Sequence, residues 1–122
     1  MKIDWNGLPE GSGMRAGQTR KSISGAMISA ARMTASADVQ FDGKTHWHVE
    51  EQIIIVTEGL MRFVIDGKTC EAGPGEMVFF PSGSRHAAIG TGPEGAVYYE
   101  LFGPARPDLL PGWVGPSPLN FD

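Results

Sequence analysis

The residues with the most chemical capacity in this chain stand in T-H-W-H-V-E-E-Q, residues 45–52. The chain has only three histidines, His46, His48 and His86, and two of them are here. In an extended strand, side chains two positions apart leave the same face, so His46 and His48 point one way. Two imidazoles on one face begin a site for a divalent transition metal. Zinc, nickel, manganese and iron all accept such ligands, and ligand type alone does not choose among them. By itself an HxH pair fits two surface or hydrogen-bonded histidines better than a metal site. Parity lets either Glu50 or Gln52 join the pair and disfavours Glu51.

A second group lies in Y-Y-E-L-F-G-P-A-R-P-D, residues 98–108. Parity puts Tyr98, Glu100 and Phe102 on one face, and Arg106 follows just after them. If that face looks into a cavity, Glu100 is a proton carrier, Tyr98 and Phe102 line a substrate pocket, and Arg106 can clamp a carboxylate with two hydrogen bonds. If it looks outward, Glu100 and Arg106 are a surface pair worth little. Spacing leaves both readings open.

The elements that must position these residues are short and β-rich. Candidate strands are 26–33, 52–57, 60–65, 68–71, 77–80, 85–89 and 96–102, with Asp66-Gly67 as a two-residue hairpin turn. Glycine (17) and proline (9) punctuate them, and no long helical periodicity intervenes. Many short strands at regular spacing predict an all-β single domain, a sandwich or barrel. Its bounds are expected at 23–103. Residues 1–22 are Gly-rich and polar and read as an arm, with Arg15, Arg20 and Lys21 in a solvated loop. Residues 104–122 hold five of the nine prolines and read as an extended tail, with Leu109, Leu110 and Trp113 packed on the barrel or on a partner subunit. Met61 and Phe63 share a face, as do Met77 and Phe79, and all four read as core or as the lining of an apolar pocket.

The bulk numbers exclude several classes. With 122 residues there is room for one domain, and 41% hydrophobic with 20% charged residues is neither a disordered nor a membrane composition. A net charge of -4 argues against a nucleic-acid surface. The longest aliphatic run, Ile53 to Val56, is far short of a membrane span, and the N-terminus has no apolar signal region. The one cysteine, Cys70, forms no internal disulfide, reads as structural, and suits a reducing, cytoplasmic setting.

Taken with their frame, these residues resemble the cupin superfamily. Its first motif places a ligand four residues after the second histidine and a glycine seven after that, here Gln52 and Gly59. Its second motif is matched by G-E-M-V-F-F-P-S-G-S-R-H, from Gly75 through Pro81 and Gly83 to His86. The chain departs from the pattern at Gln40, where a glycine is expected, and at Gly90, where asparagine sometimes stands. The resemblance implies a double-stranded β-helix (jelly-roll) barrel with one divalent metal held by His46, His48, Gln52 and His86. Most cupins carry glutamate at the third of these positions. With glutamine a divalent site keeps a formal charge near +2, which favours Lewis-acid chemistry and an anionic small-molecule substrate over oxygen activation.

The order H-x-H-x-x-E-Q, followed later by Glu100, Phe102, Pro104, Arg106 and Asp108, is similar to small single-domain cupins that include the KdgF-like proteins. These convert 4,5-unsaturated monouronates into the linear 4-deoxy-5-keto form. The resemblance implies a lyase or isomerase on a small sugar acid, with the metal on the substrate's oxygens, Arg106 on its carboxylate and Glu100 moving the proton. Glu100 is usually aspartate in that group. Other metal cupins remain open: a polyketide cyclase, a hydroxynitrile lyase-like protein, a dioxygenase, or a non-catalytic binding module. A homodimer is the family-level expectation.

Overall fold

The computed structural model describes residues 1–122, and the chain is almost wholly antiparallel sheet. Seven strands follow one another: β1 (Gly11–Ser12), β2 (Gln18–Ser24), β3 (Ser29–Ala35), β4 (Glu51–Ile65), β5 (Lys68–Ala72), β6 (Met77–Phe80) and β7 (His86–Gly103). Hydrogen bonding runs in the order β1-β2-β3-β7-β4-β5, with β6 on β4. No helix is long and apolar enough to cross a membrane. The expected all-β barrel is therefore present as a single jelly-roll unit.

Two strands are longer than the spacing predicted. Segments 52–57 and 60–65 are one continuous strand, β4, and segments 85–89 and 96–102 are one continuous strand, β7. β4 and β7 pair along their whole lengths, with register shifts at Val56/Glu58, Gly59/Met61 and Arg62/Phe63. Each shift is a bulge that bends the pair and adds twist. The bulges also change which residues face inward: Gln52, Ile54 and Val56 are buried before them, Met61 and Phe63 after them. Glu58-Gly59 thus looks like a turn in sequence because it is the corner of a bent strand.

The core is a cluster spanning both halves of the barrel, with Met33, Ile54, Val56, Met61, Phe63, Phe80 and Tyr98 among its buried members. Burying each large apolar side chain contributes roughly 1.5–3 kcal/mol. Phe63 and Phe80 meet edge to face, with ring centroids 5.4 Å apart. Met77 and Phe79 do share a face, but it is the outer one, and both are exposed (61% and 51%). They neither join the core nor line a pocket; Phe80 fills that place.

The ends also differ from expectation. The segment read as an arm holds strand β2, fully paired with β3 from Gln18↔Ala35 to Ser24↔Ser29, so the barrel begins before residue 23. In the tail Leu109 is buried as expected, but Trp113 is 45% exposed.

Two glycines make the bend possible. Gly59 and Gly95 both have positive φ (73° and 74°). A Cβ on Gly59 would stand 2.0 Å from the Gly95 carbonyl oxygen, and one on Gly95 2.2 Å from that of Ala35. Gly43 has a similar φ of 72° with open space around it. Urea unfolding is expected to show Gly43→Ala costing about 1 kcal/mol, the left-handed penalty alone. Gly59→Ala should cost at least about 3 kcal/mol or prevent folding, because backbone must also move.

Candidate metal centre

The site begins with a backbone pairing. His46 and His86 donate N–H groups to each other's carbonyls at 3.0 and 2.9 Å, a two-residue bridge ahead of β4. Gly83 donates to the His48 carbonyl at 2.9 Å, so the P-S-G-S turn is clipped to the same segment. These bonds place three imidazoles together, with ring centroids 4.6 Å (His46–His86), 4.9 Å (His48–His86) and 5.9 Å (His46–His48) apart. One nitrogen from each ring lies within 4.8 Å of the others.

The hydrogen bonds set the tautomers. The Nδ1 atoms of His48 and His86 each lie 2.9 Å from a carbonyl oxygen, of Glu50 and Ser84 respectively. A carbonyl only accepts, so both Nδ1 atoms carry the proton and both Nε2 atoms present a lone pair. Those Nε2 atoms and His46 Nδ1 are buried and have no partner in the protein. Three buried, unpartnered nitrogens in one cluster fit the donor set of a divalent transition metal. Burial holds all three rings below the ordinary histidine pKa, His46 at about 3 and His86 at about 4, with neighbouring rings adding repulsion at these two and Arg106 at all three. They are therefore neutral, as ligands must be.

Glu50 and Gln52 differ in position. Val49 and Glu50 form a bend, and the Glu50 carboxylate lies 3.6 Å from His48 Nδ1, the side of the ring turned away from Nε2. Glu50 backs the ring. Gln52 is buried, lies beside His48, and lines the same cavity as His46 and His86.

That cavity has a volume of ≈ 170 Å³. Tyr98, Glu100, Phe102 and Arg106 all line it, so the face they share is the interior one. Burial raises the Glu100 carboxyl above the ordinary carboxylate range, while Arg106 and Arg20 pull it back down. Burial and the charge of Glu100 likewise raise Tyr98, which stays a neutral phenol and accepts a 3.3 Å hydrogen bond from Gln18 Nε2. Arg106 is buried, stacked 4.8 Å from the Phe102 ring centre, and held by both oxygens of Asp108 at 3.2 and 2.8 Å. One edge of its guanidinium is thus engaged within the protein.

Several lining residues were not foreseen. Arg15 and Arg20, read as solvated, both face the cavity, as does Gln18. The available signal was the alternation Gln18, Arg20, Ser22 on one face of β2. From the tail, Ser117 and Leu119 complete the wall. The tail is tied down beyond them. Asn120 exchanges backbone hydrogen bonds with Trp47, Phe121 packs on His46 with centroids 6.0 Å apart, and Asp122 accepts from Trp47 Nε1 (3.1 Å) and Arg85 Nε (2.6 Å).

The Cupin domain family matches residues 37–102. Among solved structures, an RmlC-like cupin from Shewanella frigidimarina NCIMB 400 superposes with a TM-score of 0.75 at 22% identity, covering 88% of this chain and 94% of that one. KdgF from Halomonas sp. gives 0.70 at 24% identity over 81% and 89% of the two chains. The polyketide cyclase RemF from Streptomyces resistomycificus gives 0.69 at 20% identity over 97% and 89%. No curated protein matches the sequence significantly.

Two outcomes are expected. In the metal-free protein the unfolded chain takes up protons at histidine near the ordinary value of 6.5, whereas His46 and His86 stay neutral down to about 3 and 4. Stability is then fully present above pH 6.5 and is lost as pH falls from there through 4 to about 3. Thermal melts across that window check it, and His46→Gln should flatten the slope. Removing residues 117–122 should uncover His46 and speed the loss of bound metal to a chelator severalfold, read by stopped flow.

Proposed function

The chain belongs to the cupin family, and we propose that within it this protein is a metal-dependent lyase or isomerase acting on a small sugar acid. The observation that carries the reading is the position of Glu100. Its carboxyl lines the same cavity as the histidine cluster, with a raised pKa and with Arg20 and Arg106 close enough for their charges to act on it. The likeness to KdgF in fold, together with the order Gln52, Glu100, Phe102 and Arg106, supports an unsaturated monouronate as substrate.

His46, His48 and His86, with Gln52 beside them, would hold one divalent cation. Such an ion would supply Lewis-acid polarisation of a substrate oxygen at a centre with no anionic ligand. The conversion to the 4-deoxy-5-keto form is an isomerisation: a hydroxyl proton leaves C1, the bond from C1 to the ring oxygen breaks, and a proton arrives at C4. One group that both takes and gives a proton therefore suffices. A carboxyl whose pKa is raised above the ordinary carboxylate range is suited to that task. Glu100 takes the proton from the hydroxyl and returns one to carbon. Tyr98 and Phe102 form the adjacent wall, and Arg106, engaged by Asp108, contributes positive field to the cavity and holds the Phe102 ring.

A second reading has its own support. Half of the twenty lining residues are hydrophobic, Met33, Phe63, Phe80 and Leu119 among them, and the fold resembles that of RemF over 97% of the chain. An aromatic polyketide would suit such walls.

The test is an ultraviolet assay. Protein loaded with a divalent metal is mixed with a 4,5-unsaturated monouronate, whose conjugated double bond absorbs. Wild type is expected to bleach the signal, with Glu100→Gln slower by about 10²–10⁴-fold at retained metal content. His48→Ala should lose metal and activity together. No bleaching by fully metallated wild type rejects the uronate and leaves the polyketide reading.

A further inference from the structure

Three arginines line the cavity, and they are not equivalent. Arg106 gives Nε and one terminal nitrogen to Asp108 and lies over Phe102. Arg15 reaches Asp42 at 3.5 Å and lies 5.2 Å over the Phe41 ring. Arg20 has neither: its guanidinium makes no hydrogen bond and no ion pair to any protein group, although the residue is half-buried.

Its placement is set by the sheet. Arg20 pairs with Met33, which pairs with Tyr98, and two rungs along Ser22 pairs with Ala31, which pairs with Glu100. Side chains at 20, 33 and 98, and at 22, 31 and 100 two residues on, all face inward. The side chains between them are small or apolar. Arg20 therefore approaches the interior from the opposite side of β3 to Glu100, and the charges of Glu100, Arg106 and Asp108 all act on it. A guanidinium has five N–H donors in a rigid fork that matches a carboxylate. The nitrogens of Arg20 are not among the buried unpartnered atoms, so an incoming acceptor would displace water rather than a protein partner.

We propose that Arg20, the cavity arginine with no acceptor in the protein, receives the carboxylate of the substrate through its planar fork and so sets the preference for acids over neutral analogues. The inference rests on the reading of the substrate as a small sugar acid. Arg106 is then a positioning residue for Phe102 and the cavity rim.

The experiment is equilibrium binding by calorimetry, with D-galacturonate and its methyl ester as probes and the metal-loaded protein as receptor. Neither probe has the 4,5 double bond, so binding is read apart from turnover. Wild type is expected to bind the acid at least about tenfold tighter than the ester. Arg20→Gln should lose that preference by weakening acid binding alone, and Arg20→Lys should keep part of it, since the charge remains and the fork does not. Arg20→Lys also decides the matter if Arg20→Gln melts early. Equal affinity of wild type for acid and ester, no binding of galacturonate by wild type, or an acid preference unchanged in both variants overturns the proposal. If Arg20 served only to hold Glu100, its variants would change turnover and leave the preference intact. An Arg20-dependent acid preference without bleaching of the unsaturated uronate would reject the isomerase reading and leave this one standing.

Discussion

The whole site depends on the exchange of backbone hydrogen bonds between His46 and His86. These two bonds join the loop before β4 to the start of β7, forty residues further on. Without them the HxH pair is a local feature with no third ring. With them, the parity of two short extended segments brings three imidazoles to one point, and the carbonyls of Glu50 and Ser84 set the tautomers of two of them. The pairing is held in turn by the Gly83 bond to His48 below it and by Asn120 on Trp47 beside it. The ligand cluster is thus built by main-chain geometry, and the side chains inherit it.

Behind this cluster the barrel must leave space rather than fill it. Elsewhere the interior is packed by Met61, Phe63 and Phe80, but between β2, β3 and the end of β7 the inward residues include Gln18, Arg20, Ser22, Ala31 and Glu100 beside Met33, Tyr98 and Phe102. The small and polar members of that set keep a cavity open and give it charge. Three arginines against Glu100 and Asp108 leave it formally positive before any metal is counted. Such a balance in a low-dielectric pocket attracts anions and repels cations. It also explains the directions of the pKa shifts: burial makes the histidines neutral and Glu100 reluctant to ionise, while the arginines oppose only the latter.

The part of this arrangement legible in the sequence is the part carried by short-range rules. His46 and His48 shared a face by strand parity, whereas the choice of Gln52 over Glu50 and the addition of His86 came from the resemblance to the cupin motifs. Tyr98, Glu100 and Phe102 followed from parity alone, although parity did not say that their face was the inner one. The same limit misplaced Met77 and Phe79, which share a face that looks outward. Residues 18–24 escaped notice because strands are recognised by apolar alternation, and a strand whose inner face lines a polar cavity has none. The corners at Gly59 and Gly95 resembled turns because a bulge with positive φ uses the same residue as a turn.

The sequence by itself therefore determined an all-β domain, the paired His46 and His48 and a carboxyl on the same side as an aromatic pair, since each of these depends only on what lies two residues away or on local backbone preference. Tertiary structure alone decided that Glu50 stands behind His48 while Gln52 faces the cavity, that Asp108 occupies Arg106, that Arg20 is the unpaired cation, and that the tail closes against His46. These outcomes depend on which strands meet across the barrel, and pairing partners dozens of residues apart are chosen by the packing of the whole chain rather than by any local pattern.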